Sequence, residues 1–113
     1  MGHQLERFQE EIRRALSEIL EFEARDPRFE IATITKVRLS PDMHYATVFL
    51  DFPDEGRRDE LLKLFEQDRG FFRSQLAKRL NLRHTPELQF REDEELRWAR
   101  RIDELLRNDK SKS

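Results

Sequence analysis

Apolar residues at helical spacing open the chain and predict an amphipathic first helix over residues 4–24. The repeating positions are Leu5, Phe8, Ile12, Leu16, Ile19 and Leu20. Asp26-Pro27 predicts the end of this helix, because a proline forces the residue before it out of the helical region. Charged residues occupy the opposite face, so one side of the helix is expected to cover a core.

Two strand patterns follow the first helix. Residues 31–40 are rich in β-branched side chains, and residues 45–52 alternate between apolar and more polar positions. Ser40-Pro41-Asp42 lies between them and is a turn signal. Because the connection is short, the two strands are expected to form an antiparallel hairpin.

The next segment predicts two helices and a third strand. Apolar spacing indicates helices over residues 56–68 and 71–81. Gly70 lies between them and allows a kink or tight turn at low steric cost. Residues 87–91 then place Leu88 and Phe90 on one side, which is typical of a short strand.

A final amphipathic helix is appended to this domain. Asp93 is its candidate N-cap, the helix is expected over residues 93–107, and residues 108–113 form a polar tail. Residues 4–92 then form one α+β domain in the order helix, strand, strand, helix, kink, helix, strand. Two adjacent helices before the third strand indicate a K-homology fold of the second type, with the helices on one face of the sheet.

The composition limits the protein classes and cellular locations that fit this domain. The chain has 113 residues, 41% of them charged, and a net charge of −2. It contains no cysteine, so it offers neither a disulfide framework nor a thiolate site. No apolar run approaches the roughly 20 residues that cross a membrane, and the polar amino terminus lacks a signal-peptide core. We therefore expect a cytoplasmic protein.

Positive charge is concentrated in one segment. Between Arg69 and Pro86 there is no acidic residue, and the segment holds Arg69, Arg73, Lys78, Arg79 and Arg83 beside His84. A local basic face can bind phosphate even on an acidic protein, because screening limits the reach of a charge to roughly 8–10 Å. A solvated helix face is the alternative, but such faces usually alternate in sign.

Catalytic patterns are weak by comparison. The three histidines, His3, His44 and His84, match no metal-ligand spacing, and the few glycines form no phosphate-cradling loop. The carboxylates fall among Arg and Lys at spacings that favour solvated ion pairs. We therefore expect no enzyme, no metal and no cofactor.

RNA recognition through phosphates is the better-supported function. Arg69 and Arg73 are four residues apart and so share a helix face, and the arginine fork suits phosphate oxygens. A K-homology domain that clamps single strands uses a G-x-x-G loop, which this chain lacks. The absence of that loop favours recognition of the shape and phosphates of folded RNA.

Three blocks of motifs together resemble the bacterial ribosome-binding factor A family over about residues 5–102. The first is Asp26-Pro27-Arg28 after an amphipathic helix. The second is the hairpin Val37-Arg38-Leu39-Ser40-Pro41-Asp42 with Tyr45-Ala46-Thr47-Val48-Phe49-Leu50. The third runs from Gly70-Phe71-Phe72-Arg73-Ser74-Gln75-Leu76 to Leu80-Asn81-Leu82-Arg83-His84-Thr85-Pro86-Glu87-Leu88-Gln89-Phe90.

The resemblance implies a non-catalytic assembly factor. Members bind the free small (30S) ribosomal subunit, contact 16S ribosomal RNA near the neck and decoding region, assist processing of its 5′ end and matter most in the cold. A maturation GTPase releases them. The family carries an Ala-x-Gly kink where this chain has Asp68-Arg69-Gly70, so Asp68 is expected either to disturb the kink or to cap the third helix.

The candidate residues divide by expected role. Phosphate contacts are expected from Arg69, Arg73, Lys78, Arg79 and Arg83, with His84 beside them, and a weaker second group is formed by Arg28, Lys36 and Arg38. Structural roles are expected for Pro27, Pro86, Gly70 and Asp68, and turn or cap roles for Asp26 and Asp42. Trp98 either packs the last helix onto the domain or stacks on a partner.

One rival interpretation remains open at this point. An α+β protein-interaction or regulatory domain could dimerise through the open face of its sheet, with no RNA role. The alternative to such a dimer, and the state expected here, is a monomer. Salt dependence separates the two, because binding through phosphates weakens steeply with salt and a hydrophobic dimer does not.

Overall fold

The computed structural model describes residues 3–111 and places four helices and three strands in them. In chain order they are α1 (His3–Phe22), β1 (Thr33–Leu39), β2 (Tyr45–Asp51), α2 (Arg58–Gln67), α3 (Arg69–Leu80), β3 (Glu87–Glu92) and α4 (Glu94–Ser111). Two short 3-10 helices lie at Pro27–Ile31 and Glu55–Arg57. The predicted α+β order of elements is confirmed, and it is the arrangement of a K-homology fold of the second type.

The sheet has the order β1-β2-β3. The predicted antiparallel hairpin of β1 and β2 is confirmed, with Thr35 inserted as a bulge between the paired positions Ile34 and Lys36. Strand β3 lies parallel to β2, with Tyr45 opposite Glu87. A parallel pair needs a long crossover, and α2 and α3 together supply it.

The core lies between one face of the sheet and the helices α1, α2 and α3. It is centred on four aromatic rings, Phe29, Phe65, Phe72 and Phe90, whose centroids in the contacting pairs are 4.8–5.8 Å apart. Three of these pairs pack edge to face, Phe65 and Phe72 are stacked, and Phe65 and Phe90 are tilted; such ring contacts add to the burial of large apolar area. The opposite face of the sheet is not covered by these helices.

The first predicted strand begins two residues later than its sequence pattern indicates. Asp26 accepts a hydrogen bond from the backbone N–H of Arg28 (3.0 Å), which caps the 3-10 helix at Pro27–Ile31. Ile31 therefore belongs to that helix although its β-branched side chain favours a strand. The cap fixes the chain direction before Phe29 enters the core.

The break between α2 and α3 falls at Asp68, before Gly70. Asp68 lies between the helices with φ −98° and ψ 15°, and its side chain accepts no capping hydrogen bond, so the expected cap is absent. Its backbone N–H donates to Leu64 and its carbonyl accepts from Phe72, both at 3.1 Å. Gly70 lies in the first turn of α3 without positive φ, and a Cβ there would meet no atom within 4 Å.

Helix α4 extends to Ser111, beyond the predicted end at residue 107, so part of the predicted polar tail is helical. Residues 112–113 of that tail lie outside the described residues. The apolar side of α4 is largely uncovered, and Trp98 is 60% exposed. Of the two roles expected for Trp98, this exposure favours contact with a partner over packing onto the domain, because periodicity shows which face is apolar but not whether anything covers it.

Candidate nucleic-acid interface

Helix α3 and the turn that follows it carry the predicted basic segment. Asn81 ends the helix in the left-handed conformation (φ 51°), which asparagine tolerates better than most residues. The chain then turns so that Arg83 and His84 lie on the surface before Pro86, which is buried, leads into β3. The segment thus wraps around one end of the sheet, with its cations pointing in several directions.

Arg73 braces α3 against the start of β3. Its Nη2 donates to the carbonyl of Thr85 at 2.9 Å and its Nε donates to the carbonyl of Pro86 at 3.2 Å. Glu87 lies 3.7 Å from the same guanidinium. Arg73 stays partly exposed, so it both holds the turn and presents positive charge at its surface.

Arg79 links α3 to α1. Its guanidinium donates to Glu18 at 2.7 Å and to Glu23 at 2.5 Å, and both carboxylates belong to the end of α1 and the turn after it. Arg69 is more loosely engaged, 3.5 Å from Glu66. Three of the five predicted phosphate contacts, Arg69, Arg73 and Arg79, therefore have carboxylate partners within the domain.

Lys78, Arg83 and His84 are the cationic or titratable side chains of the segment that stay open to a ligand. All three are exposed, and none forms an ion pair or side-chain hydrogen bond with the described side chains of residues 3–108. Arg83 and His84 line a cleft of about 480 Å³, together with Arg73 and the aromatic ring of Tyr45. This cleft brings residues of α3, its exit turn and the β1–β2 hairpin to one place.

The second predicted group is divided by the fold. Arg28 lies apart and pairs with Asp26 and Glu60, and these pairs raise its pKa further. Lys36 and Arg38 point from β1 to the uncovered face of the sheet, where Arg91 of β3 joins them. Sequence reasoning missed Arg91, although its place in the alternation of the third strand puts it opposite the core.

Hydrogen bonds favour the ionised form of two turn carboxyl groups, Asp26 and Asp42. The hydrogen bond from Arg28 lowers the pKa of Asp26, and the hydrogen bonds from the Ser40 hydroxyl and the His44 backbone lower the pKa of Asp42. Asp42 thereby shapes the hairpin turn, as predicted, with its Oδ1 2.6 Å from Ser40.

None of the pKa shifts resolved among the described residues marks a carboxyl group as a general acid. A general acid at neutral pH needs a raised carboxyl pKa, and every carboxyl shift resolved among them is downward. Residues 3–111 also contain no group of three or more side chains able to hold a metal ion. Within the same range, no helix is long and apolar enough to span a membrane.

Solved structures of similar sequence share this fold. The crystal structure of ribosome-binding factor A from Thermus thermophilus matches with a TM-score of 0.70 at 26% identity, over 78% of this chain and 94% of that one. A solution structure from Thermotoga maritima, a putative ribosome binding factor A, gives 0.71 at 30% identity, over 82% and 90%. A Thermus homology model fitted into the cryo-EM map of a 30S complex gives 0.59 at 28% identity, over 73% and 87%.

Sequence comparison gives the same result over almost the whole chain. Ribosome-binding factor A of Natranaerobius thermophilus is 40% identical over 108 residues, covering 94% of this chain and 82% of that protein. The protein of the same description from Chromohalobacter salexigens is 36% identical over 104 residues, covering 89% and 79%. Residues 4–106 also match the sequence model of the family described as Ribosome-binding factor A. The chain therefore belongs to the ribosome-binding factor A family.

Proposed function

We propose that this protein is a non-enzymatic assembly factor that binds the free small ribosomal subunit through 16S ribosomal RNA. The observation that carries the proposal is the cleft at the exit of α3, where Arg73, Arg83 and His84 converge, with Lys78 exposed elsewhere on the same helix. A Thermus member of the family has been fitted into a map of a 30S complex, which supports the same class of partner.

The side chains at this cleft bind the phosphate groups of RNA. Arg83 can offer a planar pair of N–H donors, and Lys78 adds a compact charge on the exposed side of α3. Neutral His84 can donate or accept one hydrogen bond, and its protonated form adds a charge. Phosphate contacts position a protein without reading sequence, so affinity depends on the shape that folded RNA gives to its backbone.

The finer assignment follows the family. We place the contact near the neck and decoding region, and we assign to the protein a role in 5′-end processing of 16S ribosomal RNA that is greatest in the cold. Release by a maturation GTPase, a cytoplasmic site of action and a monomeric state belong to the same proposal. Dimerisation through the open sheet face is disfavoured, because it would bring Lys36, Arg38 and Arg91 of two copies together.

Co-sedimentation with purified small subunits at increasing salt tests this function. The wild-type protein should bind small subunits and not assembled ribosomes, with a log–log salt slope of about −3 if three or four phosphates are contacted. Lys78→Glu/Arg83→Glu should abolish the binding, and Lys63→Glu on the exposed side of α2 is the matched control for charge reversal. Wild-type protein that stays in the supernatant at low salt would refute the proposal.

A further inference from the structure

The uncovered face of the sheet carries a second concentration of positive charge. We call this surface the open face and define it by seven side chains that point away from the core: Lys36, Arg38, Tyr45, Thr47, Phe49, Gln89 and Arg91. The strand register places them in rows across the three strands. One row is Lys36, Phe49 and Arg91, and the next is Arg38, Thr47 and Gln89.

Aromatic rings lie among these cations. Phe49 sits between Lys36 and Arg91, and the Lys36 Nζ is 4.8 Å from its ring centroid. Tyr45 is 51% exposed, although the apolar body of a tyrosine is usually covered in a folded domain. Exposed rings with flanking Arg and Lys are the combination on which unpaired bases stack while their phosphates are neutralised.

The charge of the open face is offset from within the domain mainly at Lys36, where Asp93 and Glu95 lie close. Two further carboxylates at its ends are engaged elsewhere, since Asp51 pairs with Arg100 at 2.5 Å and Glu87 lies 3.7 Å from Arg73. Arg38 and Arg91 have no ion-pair partner among the described residues. Lys36 lies 3.5 Å from Glu95, whose side chain is 88% exposed and therefore well screened, and its charge also helps to lower the pKa of Asp93.

The chain's own last helix leaves this face accessible. Helix α4 is anchored at the Asp51 end of β2, through Arg100, and through Arg97 to Glu92. Tyr45 lies at the other end of the same strand, next to the cleft that holds Arg73, Arg83 and His84. The open face and the cleft therefore meet at Tyr45 and form one continuous surface.

We propose that the open face is a binding site for unpaired RNA, with a base stacked on Tyr45 and the flanking phosphates held by Arg38 and Arg91. The site rests on the proposed function and deepens it, because it adds single-stranded RNA to the folded RNA bound at the cleft. A duplex does not satisfy it, since its base faces are already stacked. Thr47 and Gln89 lie between the cations as hydrogen-bonding groups for base edges.

The test uses the full chain and oligouridine, whose bases are largely unstacked. Tyr45 is the only tyrosine, so selective isotope labelling gives one tyrosine ring spin system in NMR spectra. Stacking should shift these ring signals upfield on addition of oligouridine, while blunt duplex RNA should not. Tyr45→Ala should weaken oligouridine binding about 5-fold or more, measured by fluorescence anisotropy, because one base stack is lost.

Two further variants separate stacking from other effects. Tyr45→Phe keeps the ring and should bind like the wild type. Phe22→Ala removes another exposed aromatic side chain, 72% exposed at the end of α1, and should also bind like the wild type. Equal binding by Tyr45→Ala and the wild type would overturn the inference.

The outcome also distinguishes this site from the proposed function. If the wild type binds small subunits but not oligouridine, the open-face site is wrong and the function stands. If Tyr45→Ala loses small-subunit binding while oligouridine binds neither protein, Tyr45 acts through the cleft or on a ribosomal protein, and the site for unpaired RNA is again wrong. If the wild type binds oligouridine but not small subunits, the open-face site stands and the function fails.

Discussion

Replacing Arg83 with glutamine is expected to weaken binding to the small subunit, whereas the same replacement at Arg79 is expected to weaken the fold. The two residues are four positions apart in one segment without acidic residues. Arg79 contacts Glu18 and Glu23, while Arg83 has no ion-pair partner among the described side chains of residues 3–108. The pair therefore tests whether internal partners decide which cations are available to RNA.

The effect on binding follows from counterion release. A cation that neutralises one phosphate of a duplex contributes a log–log salt slope of about 0.9, which at physiological salt corresponds to a roughly 5-fold gain in affinity. Arg83→Gln should therefore weaken binding about 5-fold and reduce the steepness of the salt dependence by about 0.9. Arg79→Gln should change either quantity much less, because its charge is already neutralised by two carboxylates.

Arg79→Gln should lower the stability of the fold more than Arg83→Gln, the reverse of their order in binding. The Arg79 side chain is 28% exposed and its two acidic partners 45% and 36%, so each pair contributes less than a buried one. Together they should stabilise the fold by about 1 kcal/mol, which corresponds to about 4 °C in Tm for a domain of this size. Arg83→Gln should leave Tm unchanged within about 1 °C, because that side chain makes no such contact.

Both quantities are measured on the same preparations, by co-sedimentation with small subunits at several salt concentrations and by thermal unfolding. Glu18→Gln/Glu23→Gln is the control, because it removes the partners of Arg79 and frees its charge. That variant should lose stability and gain affinity. Loss of binding in Arg79→Gln equal to that in Arg83→Gln, with unchanged Tm, would refute the reasoning.

Three further predictions concern the fold. Phe72→Ala should cost about 3–5 kcal/mol in urea unfolding, because this fully buried ring contacts the rings of Phe29, Phe65 and Phe90; a loss below 1 kcal/mol would contradict the aromatic core. Gly70→Ala should stabilise α3 by up to about 1 kcal/mol and so raise Tm, because a Cβ there meets no atom within 4 Å. A lower Tm would show that the kink needs glycine. Burial tends to raise the pKa of Asp93, but the hydrogen bonds from Thr35 and the Leu96 backbone outweigh it and the pKa is lowered. Its stabilisation is therefore present above about pH 4 and lost as pH falls through the lowered value, so Asp93→Asn should reduce the unfolding free energy at pH 7 more than at pH 3.

Regular periodicity in the sequence was enough to predict the main elements. The spacing from Leu5 to Leu20 and the alternation from Ala46 to Phe52 each reflect a face that the domain buries. Boundaries were less accurate where local chemistry overrides the pattern, as at Ile31, which the cap at Asp26 draws into a 3-10 helix. The same limit applies to Trp98, because amphipathicity marks an apolar side without showing what covers it.

The candidate interface was harder to predict, because it depends on partners that are distant in sequence. Arg79 meets carboxylates 61 and 56 positions away, and Arg73 meets carbonyls 12 and 13 positions away. The row that contains Lys36, Phe49 and Arg91 depends on the parallel register of β2 and β3, which is set by a crossover of two helices. No local pattern fixes that register.

A segment without acidic residues can therefore still have its cations paired with carboxylates from other elements. The five cations of the basic segment include Arg69, Arg73 and Arg79, which meet glutamates supplied by α2, β3 and the α1 region. Lys78 and Arg83 remain without an ion-pair partner among the described residues, and two contacts alone give a modest, strongly salt-dependent affinity. Specific binding then needs a second surface whose cations also lack ion-pair partners. Arg38 and Arg91 are such cations, and their open face adjoins the cleft. If both surfaces bind the same RNA, combining Arg83→Gln with Arg38→Gln should reduce affinity by about the product of the single effects, because the two arginines lie on different elements and share no partner.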